Sequence, residues 1–326
     1  MPTTRQLGPF STLGLWAALC FGGGLYASWQ GYGGRAFAAT LTVFSFYFGV
    51  MLLFAARGAP EFLSARFGAG TGYLLGATAL LAYLIYAIGT STFAFSRAGA
   101  IAAIVFVPLA LAASAERQPP GAWQDYLTLA GIWVTVKFSL SHWLWPYPEA
   151  RLAYVFTVLL CLNVALAAFV VIRKIPGIGY NIGWGRRWSF FVLASFLVFG
   201  AIAIPLGTGM QFIHFAPQWR TWPSLPFLSI AILFFTAWPE EFLFRGLLQN
   251  MLSRSSKSDL AGWWTASILF GFSHITNLGF PNWRYVILAS IAGLFYGWTW
   301  RRTNSIFASA LVHAAVDATW HFFFRT

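Results

Sequence analysis

Three charged residues lie close together in the middle of one apolar segment. Glu240, Glu241 and Arg245 fall within residues 225–252, a run long enough to cross a bilayer. A single charge at the centre of a membrane span costs about 2.5–3.5 kcal/mol on insertion scales. Charges at such a depth usually face the interior of a helical bundle and serve a function. We therefore interpret this segment as part of a buried functional site.

The spacing of these charges predicts different surroundings for the two acids. Glu241 and Arg245 are four residues apart, so they share a helix face and can form an ion pair. Glu240 lies about 100° around the helix from its neighbour. Pro239 cannot donate an amide hydrogen and is expected to kink the helix. We expect one carboxylate to be held by the guanidinium and the other to be available for chemistry. The alternative is a structural ion pair with one additional acid.

Two further apolar runs carry polar residues at a similar depth. His274 lies near the end of one run, and His313 and Asp317 lie four residues apart on one face of another. At about 1.5 Å per residue, Glu240, His274 and Asp317 lie roughly 18–21 Å, and His313 roughly 12 Å, from the inner ends of their runs. The sequence therefore predicts one site shared by three helices.

The residue types in this set suit hydrolysis. Two imidazoles and a carboxylate form a ligand set that zinc accepts, with room for a water molecule. The same groups can work without a metal, with glutamate as a general base and histidines as hydrogen-bond donors to an oxyanion. The sequence leaves both possibilities, zinc or no cofactor, open. No Ser or Cys lies in a nucleophile motif, so water is the expected nucleophile.

Three short motifs resemble those of a known family. They are Glu240-Glu241-x-x-x-Arg245, Phe270-x-x-x-His274 and His313-x-x-x-Asp317. In this order they resemble the motifs of the CAAX-protease and bacteriocin-processing family of intramembrane endopeptidases, over roughly residues 225–320. Asp317 stands where Asn is common in the prenyl endopeptidases, and both residues occur in the wider family.

The resemblance implies a helical intramembrane protease with assigned roles for these residues. Glu240 would match the glutamate that activates water, and Glu241 with Arg245 would match the supporting pair. His274, His313 and Asp317 would match residues that bind a metal or stabilise the oxyanion. The candidate zinc ligands are Glu240, His274, His313 and Asp317.

Composition places the chain in a membrane. The 326 residues are 59% apolar and 9% charged, with a mean hydropathy of +0.68, whereas a soluble domain carries about 25% charged residues. The net charge of +12 comes from basic residues in short loops, which indicates topology and anionic lipid headgroups as partners rather than nucleic acid. Cys20 and Cys161 lie within apolar runs and show no disulfide or metal spacing.

About eleven apolar runs predict an all-α, polytopic transmembrane helical bundle. Lys and Arg are about twice as frequent in the loops on the side of the N-terminus, which predicts that the N-terminus lies inside. We assign residues 1–210 to N-terminal transmembrane helices of unknown role and residues 211–326 to the catalytic transmembrane helices. The protein is expected to be an integral, multi-pass membrane protein.

The sequence is compatible with three functions. The first is an intramembrane endopeptidase whose substrate is a membrane-associated, lipidated or leader- or sorting-tail-bearing protein or peptide. The second is a proton-coupled transporter that uses Glu240, His274 and His313 as a relay, which predicts a repeat with broken helices in both halves. The third is a non-catalytic membrane partner. Polar intramembrane residues concentrate in the last third of the chain, which favours the endopeptidase.

Overall fold

The computed structural model describes residues 5–138, 141–148 and 150–326, and these segments are mostly helical. The first eight helices are α1 (Pro9–Trp29), α2 (Gly34–Ala55), α3 (Ala59–Phe67), α4 (Thr71–Gly89), α5 (Phe95–Ser114), α6 (Trp123–Lys137), α7 (Ser141–Leu144) and α8 (Ala150–Ala165). The next seven are α9 (Arg186–Gly209), α10 (Leu225–Ile232), α11 (Trp238–Glu241), α12 (Asn250–Ser255), α13 (Asp259–Phe272), α14 (Trp283–Thr303) and α15 (Ile306–Phe323).

Wider and tighter helical turns complete several of these helices. The π-helical segments are Leu166–Ile172, Leu233–Ala237 and Phe242–Gln249, and the 3₁₀ segments are Gly68–Gly70 and Trp219–Ser224. The strands, of two residues each, are β1 (Arg5–Gln6), β2 (Gly183–Trp184), β3 (His214–Phe215) and β4 (Phe324–Arg325). Strands β3 and β4 pair antiparallel and tie the segment before α10 to the end of α15.

Within the described residues, eight helices are long and apolar enough to cross a membrane. They are Pro9–Trp29, Gly34–Ala55, Thr71–Gly89, Phe95–Ser114, Leu152–Ile172, Arg186–Gly209, Trp219–Ser255 and Ile306–Phe323. The predicted class, an all-α polytopic membrane protein, is therefore confirmed.

Three other predicted runs, near residues 132, 267 and 292, are also helices. Helices α6 and α13 have 15 and 14 residues, so they span only about 21–23 Å against a hydrocarbon core of about 30 Å. Helix α14 has 21 residues but carries Arg301 and Arg302 in its last turn. The total of eleven spans and the inside location of the N-terminus stay predictions.

The described chain forms two compact units, one of Gln6–Pro176 and a second that comprises Arg5 and Gly177–Thr326. Helix α9 packs against α14 and α15 and so belongs to the second unit, which ends at Thr326. The predicted division of roles between residues 1–210 and 211–326 stays a prediction. Its first segment includes residues 1–4, 139, 140 and 149, which lie outside the described residues.

The unit that ends at Pro176 has an aromatic core around Trp145. The ring of Trp145 lies 4.9 Å from Tyr86, 5.2 Å from Tyr83 and 5.1 Å from Phe156, centroid to centroid. All four side chains are buried. Such edge and offset contacts add to the stabilisation that burial provides. This cluster holds α4 and α8 together.

A buried ion pair fixes the end of the same unit. Asp125 accepts hydrogen bonds from Arg173 Nε at 2.6 Å and Arg173 Nη2 at 2.8 Å. Asp125 Oδ2 also accepts from the backbone amides of Gly121 and Ala122, at the start of α6. The carboxylate is therefore satisfied from several sides, which is what allows an acid to be fully buried.

In the second unit, a glycine allows α13 and α14 to approach closely. A Cβ atom on Gly271 would overlap Ser290 Oγ and lie 2.5 Å from the carbonyl oxygen of Val286. Only a residue without a side chain fits at this crossing. The contact sets the position of the neighbouring Phe270 and of His274, which follows the end of α13.

Side-chain caps define where the helices of this unit begin. Ser258 accepts a hydrogen bond from the amide of Ala261 at the start of α13, and Ser305 accepts one from Ala308 at the start of α15. Each cap satisfies one of the amides that a helix start leaves without a partner. The start of α15 in turn sets the register of His313 and Asp317.

Candidate active site

The helix Trp219–Ser255 carries both adjacent glutamates. The short α-helix α11, which contains Pro239, Glu240 and Glu241, lies between two π-helical segments. In a π-helix each amide bonds five residues back, so the turn is wider, and such turns are frequent at functional sites. The sequence predicted a kink at Pro239. The structure accommodates this proline with π-helical turns before and after α11.

Glu241 is fully buried and accepts three hydrogen bonds. Its Oε2 atom accepts from Arg245 Nε at 3.0 Å and from Ser309 Oγ at 2.6 Å. Its Oε1 atom lies 3.0 Å from His313 Nδ1. The ion pair with Arg245 has the i, i+4 spacing read from the sequence. Glu241 thus connects its own helix to α15 through both Ser309 and His313.

The bond to Glu241 orients the His313 ring. Because an ionised carboxylate can only accept, Nδ1 of His313 carries the hydrogen in this contact. The other nitrogen, Nε2, lies 3.5 Å from Asp317 Oδ2 and 3.9 Å from Glu240 Oε2. The ring also stacks on Tyr296, with centroids 4.6 Å apart. A buried acid therefore fixes the imidazole so that Nε2 faces the two other carboxylates.

The three carboxylates differ in exposure. The side chain of Glu241 is 0% exposed, whereas those of Glu240 and Asp317 are 27% and 32% exposed. Glu241 is shielded by its donors, and the other two acids are accessible from outside the protein. This difference matches the predicted separation of a held acid from an accessible one.

His274 is linked to the other site residues through contacts between aromatic rings. Its Nδ1 lies 2.9 Å from the carbonyl oxygen of Phe270, so this nitrogen donates and the ring orientation is set. The His274 ring lies 4.9 Å from the ring of Phe270 and 5.0 Å from that of Tyr285. The Phe270 ring also contacts His313, at 5.7 Å. Both histidines therefore use Nδ1 for orientation and border the same phenylalanine.

The Arg245 side chain is enclosed by aromatic faces. Its guanidinium carbon lies 4.7 Å from the ring centre of Phe270 and 5.9 Å from those of Phe244 and Tyr296. Nη1 and Nη2 are buried and form no hydrogen bond within the described part of the chain. Cation–π contacts are worth about 2 kcal/mol or more when the cation is desolvated. Phe270 thus links the first motif to the second.

Sequence reasoning missed three residues that border the site. Ser309 binds Glu241, Tyr296 stacks on His313, and Tyr285 contacts His274. Ser309 could have been found, because it lies four residues before His313 on the face that also carries Asp317. The two tyrosines lie on α14, which has no motif, and only the packing of that helix brings them to the site.

The arrangement bears on the predicted metal site. Glu240 and Asp317 both approach Nε2 of His313. Carboxylate oxygens and an imidazole nitrogen are donor types that zinc accepts. Within the described residues, however, no group of three His, Cys, Asp or Glu side chains lies close enough to hold one ion. The described geometry does not assemble the four candidate ligands, and we derive no step through a metal.

Fold and site together define a class of protein. This is a multi-pass helical membrane protein with carboxylates and imidazoles gathered among its C-terminal helices. Residues 221–319 match the family described as type II CAAX prenyl endopeptidase Rce1-like. This segment contains all six candidate site residues, and the match confirms the resemblance seen in the three motifs. It supports an intramembrane endopeptidase of the CAAX type. No curated protein and no solved structure matches the chain significantly.

We predict that Arg245→Ala lowers the free energy of unfolding by about 3–5 kcal/mol, because it leaves Glu241 charged and buried without its cation. The matched control is Arg187→Ala, which removes an exposed arginine of the same unit and should change stability by less than about 0.5 kcal/mol. Thermal unfolding of both variants in detergent measures the difference. Equal unfolding temperatures would show that Arg245 does not neutralise a buried acid.

Proposed function

We propose that the protein is an intramembrane endopeptidase in which Glu240 activates the water that hydrolyses a peptide bond. The observation that carries this proposal is the pairing of two accessible carboxylates, Glu240 and Asp317, with one nitrogen of a histidine that a buried acid orients. A general base must reach both water and substrate, and Glu240 is partly exposed while Glu241 is not.

The proposed reaction uses Glu240 for both proton transfers. Glu240 accepts a proton from water as the water oxygen attacks the carbonyl carbon, and the carbonyl electrons move to its oxygen. His274 and His313, each protonated on both ring nitrogens, donate from Nε2 to this oxyanion, as preorganised donors do in other acyl-transfer sites. The tetrahedral intermediate collapses, the carbon–nitrogen bond breaks, and Glu240 returns the proton to the leaving nitrogen. Asp317 keeps Nε2 of His313 directed toward the reacting atoms.

The excess of carboxylates over cations supports this assignment. Glu240, Glu241 and Asp317 face one guanidinium and one imidazole. In surroundings of low dielectric constant, such an imbalance attracts a further positive charge. In the glutamate-dependent mechanism proposed here that charge is a second proton on the imidazole, and in the alternative that the sequence left open it is a metal ion.

The location of Glu240 within an apolar helix supports a substrate class. Glu240 is near the middle of the helix Trp219–Ser255, which is long and apolar enough to span a bilayer. A peptide bond reaches this depth when a lipid group or an apolar tail carries it into the membrane. We propose a membrane-associated substrate that is lipidated or bears a leader or sorting tail.

We predict that Glu240→Gln lowers cleavage by at least about 10²–10⁴-fold, because it removes the general base. Glu116→Gln, which makes the same change at an exposed position of the other unit, should leave cleavage unchanged. The measurement is comparative peptidomics of membranes from cells that carry the native chain or either variant. New protein ends should appear with the native chain and Glu116→Gln only.

Two other results of the same measurement would contradict the proposal. If all three samples contain the same new ends and the proteins are equally expressed, Glu240 is not the general base. If no sample yields new ends from any tested host, the transporter and the non-catalytic partner become the better accounts.

We predict that purified protein keeps its cleavage activity after treatment with a metal chelator. The reason is that, among the described residues, no three His, Cys, Asp or Glu side chains are arranged so that they could hold one metal ion. Metal analysis should find well below one zinc per chain, with a soluble zinc endopeptidase as positive control for chelation. About one bound zinc per chain, with loss of cleavage on chelation and recovery on zinc addition, would establish the metal-dependent mechanism instead.

A further inference from the structure

A cavity of about 530 Å³ lies where several helices of the second unit end. Its lining consists of Asn250, Ser253, Arg254, Asp259, Trp300, Arg301, Arg302 and Asn304. The volume falls within the range of small-molecule sites, about 300–1,000 Å³. None of these residues belongs to the catalytic group. The cavity is therefore a separate feature that hydrolysis does not explain.

The charge of the lining is positive. Three arginines face one acid, Asp259, so the cavity carries a surplus of positive charge. Arg301 and Arg302 form no ion pair with any described residue, since the described salt bridges involve other groups. Basic residues at a helix end favour the helix dipole. That effect does not require side chains of two different helices to converge on one cavity, as they do here.

The arginines are held in place by neighbouring side chains. The guanidinium of Arg301 lies 5.0 Å from the ring centre of Trp263, and that of Arg302 lies 5.9 Å from that of Trp298. Arg254 donates from Nε to Asn250 Oδ1 at 3.0 Å. A guanidinium that contacts a ring keeps its N–H groups available for hydrogen bonds. These contacts orient the three arginine side chains at the cavity.

The neutral hydrogen-bond donors in the lining and the location of the cavity indicate which class of ligand it binds. Ser253 and Asn304 add a hydroxyl and an amide to the lining, and a phosphate group accepts hydrogen bonds from such donors and from arginine forks. The lining residues Arg254 and Asn304 lie at the end of the helix Trp219–Ser255 and just before the start of Ile306–Phe323. The cavity therefore lies at one end of two membrane spans, at the level of lipid headgroups.

We propose that this cavity binds a phosphate group, as carried by the headgroup of an anionic phospholipid or by a free phosphate. Basic pockets between membrane helices are a known means of holding such headgroups. The site is independent of the endopeptidase reaction, and it would exist equally in a transporter or a non-catalytic partner.

The test compares two charge-matched double variants. Arg301→Gln with Arg302→Gln removes two charges from the cavity. Arg186→Gln with Arg187→Gln removes two charges from an exposed pair of consecutive arginines at the start of α9, neither of which lines the cavity. Each protein is placed in phosphatidylcholine nanodiscs with increasing phosphatidylglycerol, and native mass spectrometry counts the bound anionic lipid. A second arm measures thermal shift with inorganic phosphate in detergent, against sodium chloride of equal ionic strength.

The cavity variant should bind anionic phospholipid at least about tenfold more weakly than the native chain, while the control pair stays native-like. If the native chain retains no anionic lipid but shows a phosphate-specific thermal shift that only the cavity variant loses, the bound phosphate group comes from free phosphate. Equal weakening in both double variants would reduce the effect to overall charge and overturn the proposal. The proposal is also overturned if neither double variant binds anionic lipid more weakly and neither loses a phosphate-specific thermal shift. If the double variant does not fold, Arg302→Gln alone serves the same comparison.

Discussion

A carboxylate that is buried away from water needs hydrogen-bond donors from the protein, and Glu241 is such a carboxylate. Its donors come from its own helix, through Arg245, and from α15, through Ser309 and His313. Losing any of them would leave a buried group unsatisfied, at a cost of about 1–3 kcal/mol or more for a charge. The need to satisfy Glu241 therefore fixes how α11 and α15 pack in the second unit.

The same constraint produces the chemistry. Because Glu241 holds Nδ1 of His313, the opposite nitrogen faces Glu240 and Asp317. The two adjacent glutamates then have separate tasks, since one is enclosed by donors and the other is accessible. Arg245 completes the arrangement by lying against the ring of Phe270, whose carbonyl oxygen orients His274. Packing and orientation of the site residues thus have one common origin.

Much of this could be predicted from sequence because it depends on neighbours within one helix. The i, i+4 spacing placed Glu241 beside Arg245 and His313 beside Asp317, and the apolar runs predicted a polytopic helical protein. Contacts between helices have no such periodicity, so the stacking of Tyr296 on His313 and the enclosure of Arg245 by aromatic rings were not foreseen. The roles of the site residues and the span total remain predictions.

The π-helical turns show a different limit of sequence reasoning. Pro239 indicated a local break, but whether a helix kinks or widens depends on the groups packed around it. Here the segment widens on both sides of α11. Helices α6 and α13 show the same limit for spans, because apolar composition indicated membrane crossing while their lengths of 15 and 14 residues are short for one.

The central claim is that Glu241 stabilises the fold whereas the adjacent Glu240 serves the reaction. The most direct test is to measure the unfolding free energy of Glu240→Gln and Glu241→Gln side by side. The account predicts that Glu241→Gln loses about 3–5 kcal/mol, because it leaves Arg245 charged and buried, while Glu240→Gln stays within about 1 kcal/mol of the native chain. Equal losses in the two variants, or a larger loss in Glu240→Gln, would contradict the division of roles.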